Sequence, residues 1–266
     1  MKLLSKASEI GKMSLKQGFS YAGFTWASMA VSLLNIIVTY YVWMAVYGGR
    51  AVMHGISKEQ MVTYVILSGV IYSGVQWQLN LYMSELIQNG EIAMEMLRPV
   101  DFQFSLFSSR IGGFISFLIV ECMPVLVLAA ILFGISMPAT VTGALLFIVS
   151  LVMAVVIAFF LEFIIGLISF YTNSVWGLQH MKNAIATFCT GTLIPVAFFP
   201  DWLQTIILAL PFKDMVYTPV AIYMGILSGE QALKAMLFQF IWLIALMTFS
   251  RVFFNIAIKK ITVQGG

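Results

Sequence analysis

Charge is scarce in this sequence. Lysine, arginine, aspartate and glutamate make up 9% of it, where a water-soluble domain carries about a quarter. So little polar surface cannot cover a fold in water, which excludes a soluble globular protein and leaves an integral membrane protein. Cysteine and histidine are scarcer still, two of each. Cys122 and Cys189 both fall inside apolar runs, so there is no disulfide framework and no zinc spacing to read. His54 and His180 stand apart without carboxylate or thiol neighbours, and neither a metal site nor a catalytic constellation is expected. Basic clusters are lacking too: the formal net charge is +3 and its cations are dispersed, which argues against nucleic acid as a partner. The first apolar run is long enough to span a bilayer, and no small-residue cleavage site follows it as a signal peptide requires.

What is present is hydrophobic: 61% of the 266 residues, at a mean hydropathy of +0.98. Six stretches come near the roughly 20 residues that cross a bilayer. They are residues 24–46, 61–82, 112–133, 141–171, 183–199 and 232–256, the fourth long enough to tilt or protrude. The expected fold is thus an all-α membrane protein with six transmembrane helices, forming a single domain over residues 1–266. Residues 1–16 interleave Lys2, Lys6, Lys12 and Lys16 with apolar residues, which fits an interfacial helix or an ordinary positively charged tail. Orientation follows from the cations. With the N-terminus inside, Lys2, Lys6, Lys12, Lys16, Arg98, Arg110, Lys182, Arg251, Lys259 and Lys260 lie cytoplasmic. Only Arg50, Lys58, Lys213 and Lys234 lie outside. An even number of spans puts both termini in the cytoplasm.

Two regions interrupt the spans. Residues 84–111, between spans two and three, form the longest polar stretch and carry Glu85, Glu91, Glu95, Arg98, Asp101 and Arg110. Ile87, Ile92, Met96 and Leu97 recur at roughly helical spacing, which predicts a short amphipathic helix on the cytoplasmic surface, stopped by Pro99. Between spans five and six, Pro195, Pro200, Pro211 and Pro219 cut residues 193–227 into apolar pieces too short to cross. Such pieces suit broken or re-entrant helices packed against other helices.

Six spans, a cytoplasmic Leu97-Arg98-Pro99 turn after the second and broken helices before the sixth resemble an ABC type-2 exporter permease. The likeness is to the bacterial branch with a leucine-arginine-proline or leucine-lysine-proline turn in the first cytoplasmic loop, and in layout it covers nearly the whole chain. The resemblance implies a non-enzymatic membrane subunit in a bacterial plasma (inner) membrane. It would pair with a second permease, identical or homologous, and bind two cytoplasmic ABC ATPase subunits that hold the ATP and magnesium; this chain would bind no cofactor. In such families the first cytoplasmic loop forms a coupling helix, which makes Glu91, Glu95, Arg98, Pro99 and Asp101 candidate coupling residues. Leu227 to Gln231 read LSGEQ, close to an ATPase signature loop, yet no GxxxxGK[ST] phosphate loop accompanies them. They read instead as the polar turn and helix start before span six.

Polar residues inside apolar spans supply the remaining candidates. Glu121 in span three and Glu162 in span four are intramembrane carboxylates, which are costly and face protein or water rather than lipid. With Asn35, Gln76 and Asn80 they fit either a translocation path or interhelical hydrogen bonds. Pro195, Pro200 and Pro211 are candidates for an outer gate. The competing reading is an ion-coupled secondary transporter or channel that uses Glu121 or Glu162.

Overall fold

The computed structural model describes residues 22–76, 78–172 and 176–260, with Glu9 and Met13. The interfacial helix expected over residues 1–16 otherwise lies outside the described residues. The fold is mostly helical, and four of its helical runs are long and apolar enough to cross a bilayer: Thr25–Tyr47, Phe102–Phe133, Val141–Phe170 and Gly229–Lys260.

Helix α1 (Ala22–Tyr47) is followed by a hairpin of β1 (Val52–Met53) and β2 (Ile56–Ser57). His54 and Gly55 both take positive φ in its two-residue turn, the twist that suits a tight antiparallel connection. Helix α2 (Lys58–Val75) starts from a reciprocal cap. The Gln60 amide donates to Ser57 Oγ at 3.1 Å, and the Ser57 amide donates to Gln60 Oε1 at 2.9 Å. This helix is buried along almost its whole length. The sequence predicts one span over 61–82. The helix instead ends at Val75, and Gln78 adopts the left-handed conformation (φ +48°) before α3 (Leu79–Gln88) begins. Two glutamines within three positions have amides that favour a polar cavity over lipid, and the helix breaks there.

Helix α4 (Ile92–Met96) follows a turn at Gly90, whose φ of +73° explains the glycine. Helix α5 (Phe102–Phe117) passes through a π turn (Leu118–Cys122) into α6 (Met123–Phe133). The cause is Pro124. It has no N–H for the carbonyl four residues back, and the backbone opens so that the Met123 amide bonds Leu118 O, five residues earlier. Helix α7 (Val141–Leu167) is capped by the Thr140 hydroxyl, which accepts the Gly143 amide at 2.9 Å. The fifth expected span, 183–199, is displaced: the helix there is α8 (Trp176–Cys189), 14 residues long, and the chain turns at Thr190 and Gly191.

The proline-rich region folds as expected into short pieces, each begun by a proline or shortly before one. Pro195 precedes a 3-10 turn (Val196–Phe198), and Pro200 precedes α9 (Asp201–Ala209). Pro211 opens a second 3-10 turn (Pro211–Met215), and α10 (Tyr217–Tyr223) contains Pro219. Ser228 and Gly229, inside the LSGEQ run, are the cap and first residue of α11 (Gly229–Ala257).

Helix α7 is the axis of the larger core, where Phe159, Phe163 and Leu167 pack with Tyr64 and Met83. A second core joins α1, α2 and α6 through Ile36, Ile66 and Val125. Close approach of α3 to α7 depends on Gly166: a Cβ there would lie 2.5 Å from Met83 Sδ and 3.3 Å from Asn80 Cα. Overpacking of this kind costs about 1–3 kcal/mol. Gly166→Val is therefore expected to lower the thermal midpoint of the detergent-purified protein by several degrees, on the order of 5 °C. An unchanged midpoint in scanning fluorimetry would mean that α3 can shift without loss.

Candidate functional site

Along α1, Ser28, Ser32, Asn35 and Thr39 are spaced four, three and four residues apart, which puts them on one side of an otherwise apolar helix. They form one wall of a cavity of about 970 Å³. Tyr72 and Ser73 of α2, with Gln76 and Gln78 beyond its end, line the facing wall. Thr187 of α8 and Thr192 after it close a third side, and Arg110 of α5 also lines the cavity. Tyr72 ties α2 to α8, its hydroxyl 2.8 Å from Thr187 Oγ1. At the Thr192–Leu193 end, Trp43 Nε1 donates to Leu193 O at 3.3 Å, and Tyr64 donates to Gly191 O at 2.6 Å. A groove this polar beside bilayer-spanning helices has to face water, cargo or another protein surface rather than lipid.

Glu121 sits against the wall of the groove. Its carboxylate accepts from Ser28 Oγ at 2.8 Å, Ser32 Oγ at 3.0 Å and, at 3.5 Å, Ser73 Oγ. The π turn carries Glu121 in the helix that packs on both α1 and α2. Three of the five residues expected on a path are thus brought to one place: Asn35, Gln76 and, at its edge, Glu121.

The other two are elsewhere. Asn80 is fully buried under α7, and its side-chain atoms have no hydrogen-bond partner among the described residues. Glu162 is buried in an ion pair with Lys182 of α8. Lys182, counted among the cytoplasmic cations, thus has its ammonium between helices. Lys213, counted among the outer cations, is enclosed too. It is buried, pairs with Asp214 at 2.6 Å and lies 4.7 Å from the centre of the Phe238 ring. Thr218 donates to the same Asp214 oxygen at 2.7 Å, and Gln239 of α11 donates to Asp214 O and Ser150 O at 2.9 Å each. These bonds anchor the second 3-10 turn between α7 and α11.

At the polar segment, Glu95 and Arg98 form an ion pair at 2.7 Å. Ile92 is buried, while Glu91, Leu97, Arg98 and Pro99 are exposed. Asp101 is exposed as well, but its carboxylate is engaged. It caps α5 by accepting the Phe104 amide at 3.0 Å and pairs with Arg251 of α11 at 2.7 Å. Beside it Gln103 Nε2 donates to Ser250 Oγ at 2.8 Å. The start of α5 is thereby fastened to α11. Pro195, Pro200 and Pro211 bend the chain on the face where Trp43 and Phe198 meet edge to face, 4.9 Å between ring centres.

Sequence reasoning missed the partners rather than the acids. Glu121 and Glu162 are visible as intramembrane acids, whereas Lys182 counts only toward the cytoplasmic cations and nothing in the sequence marks Ser28 or Ser32 as a partner. The four-three-four run of polar residues in α1 was the available signal for the groove.

Long apolar helices flanking a polar groove define an integral membrane transport protein. Comparison with protein families sharpens this: the family described as ABC-2 family transporter protein matches residues 33–265, and the chain belongs to it. It is a permease-type component of an ABC exporter system, a non-catalytic membrane subunit that works with ATPase and other permease subunits. No curated protein matches the chain.

Proposed function

We propose that the polar groove bounded by α1, α2 and α8 is this chain's share of the translocation path, completed by a second permease. The observation that carries this reading is the stripe of Ser28, Ser32, Asn35 and Thr39, which opens a cavity of about 970 Å³ beside bilayer-spanning helices. A single chain leaves Asn35 exposed, and a second polar wall would close the cavity away from lipid. In the membrane we read six crossings with both termini cytoplasmic, as in a bacterial plasma membrane. The four long helices provide four crossings, and α2 and α8 contribute to the two shorter ones. Two ATPases would bind from the cytoplasm at Glu91, Glu95, Arg98 and Pro99. Asp101, through Arg251, would pass their movement into α5 and α11 as a rigid-body shift. The turns at Pro195, Pro200 and Pro211 would form an outer gate. The ion-coupled alternative has less support, since Glu162 already neutralises Lys182 and Glu121 is engaged by serine hydroxyls.

Filling the groove tests the proposal. Asn35→Trp in the exporter reconstituted with its ATPase is expected to cut ATP-driven transport at least about tenfold, while the protein still inserts and assembles. The tenfold figure corresponds to about 1.4 kcal/mol. Unimpaired transport by this variant would place the path elsewhere.

A further inference from the structure

We infer that the groove selects cargo carrying a protonated amine, which docks at the Glu121 level; this rests on the groove being the translocation path. The reason is donor arithmetic. A serine hydroxyl has one hydrogen to give and two lone pairs to receive with. Ser28, Ser32 and Ser73 all line the cavity, and each gives its hydrogen to Glu121. What they turn toward the groove is therefore lone pairs only, backed by a carboxylate. Three hydroxyl oxygens and a carboxylate around one spot match the three N–H donors and the charge of an ammonium group. A cargo with only acceptors there would leave its own groups unpaired, at a real loss of affinity.

The backbone supports this placement independently. The π turn at Leu118–Cys122 is a local departure from α geometry, and Glu121 lies within it; such turns recur at functional sites. Elsewhere in the lining Asn35, Thr39, Thr187 and Thr192 can give or accept hydrogen bonds, while Val31 and Ile36 add apolar surface. Arg110 lines the same cavity near Gln78 and lies 5.8 Å from the centre of the Tyr82 ring. The cavity volume suits a drug-sized molecule. The cargo class is an amphiphile with one amine and a partly polar body.

The test uses the full chain in lipid nanodiscs and three fluorescent probes of one size. These are dansylcadaverine, its neutral N-acetyl derivative, and dansyl-aminohexanoate as the anion. Binding followed by fluorescence anisotropy should favour the amine over the neutral probe by about tenfold or more, the range of one charge-assisted contact. Glu121→Gln should bring the amine down to the affinity of the neutral probe. Should that variant fail to fold, the wild-type preference among the three probes still decides. Equal affinities, preference for the anion, or no binding of the amine would overturn the inference. Asn35→Trp separates it from the reading beneath it. If that variant abolishes binding of all three probes, the groove is a binding site and only the charge preference is at issue. If it leaves amine binding intact, the site lies outside the groove, and both the inference and the path fall.

Discussion

Replacing Lys182 with methionine is expected to destabilise the protein by about 3–5 kcal/mol, because it takes the paired ammonium away from the buried Glu162 carboxylate. The thermal midpoint in detergent should fall by on the order of 10 °C. Glu162 Oε2 has no hydrogen-bond partner among the described residues. The pair joins α7, the axis of the core, to α8, which lines one side of the groove. Adding Glu162→Leu to Lys182→Met removes both charges and should recover most of the stability, as replacing buried pairs by apolar residues commonly does. Transport then separates two roles. If the double variant is stable and transports, the pair is a brace; if it is stable and inactive, the charges serve the transport cycle. A single variant as stable as the wild type would contradict the buried pair itself.

Charge reversal in the polar segment that we read as cytoplasmic should act on coupling and leave folding intact. Glu95→Lys or Arg98→Glu is expected to lower ATP-driven transport at least about tenfold, a loss of about 1.4 kcal/mol or more in coupling, while the ATPase continues to hydrolyse ATP. The Glu95–Arg98 ion pair is itself no explanation for such an effect. Arg98 is largely exposed, and exposed pairs contribute about 0–1 kcal/mol. A swap of both residues, Glu95→Arg with Arg98→Glu, restores that pair but presents the charges to the partner in reverse. It should remain uncoupled if the ATPase reads them, and recover if only the internal pair matters. Arg251→Gln offers a contrast, because it releases Asp101 from α11 while leaving Glu91, Glu95, Arg98 and Pro99 as they are. Its transport should fall with ATPase docking unchanged, which co-purification would check.

The apolar skeleton was legible in the sequence because length and composition alone mark a bilayer-crossing helix. Four of the expected spans stand as long helices for that reason. The second and fifth were harder. Gln76 and Gln78 break a run whose average hydropathy still passes, and α8 starts seven residues before the predicted span, burying Gln179 and Lys182, polar residues that a hydropathy reading leaves outside a span. A charge inside a helix reads as a boundary when its partner is twenty residues away. Glu162 and Lys182 show how that misleads: each looked isolated, and together they are neutral. The prolines were reliable, since lost amides and fixed φ angles act locally whatever the surroundings. At the groove, Asn35, Gln76 and Glu121 were visible as polar residues in apolar surroundings. Their convergence was not, because it depends on a π turn and on the register of α1 against α6. Asn80 illustrates the reverse, a polar residue in an apolar setting that lies under α7 instead of in the groove.

Reconstitution in sealed liposomes tests the central claim most directly, with the chain alone or with its cytoplasmic ATPase and a fluorescent amine as cargo. The account predicts transport only when the ATPase and ATP are both present on the side of Arg98, with no response to an imposed proton or sodium gradient. Transport by the chain alone, driven by such a gradient and lost in Glu121→Gln, would contradict it.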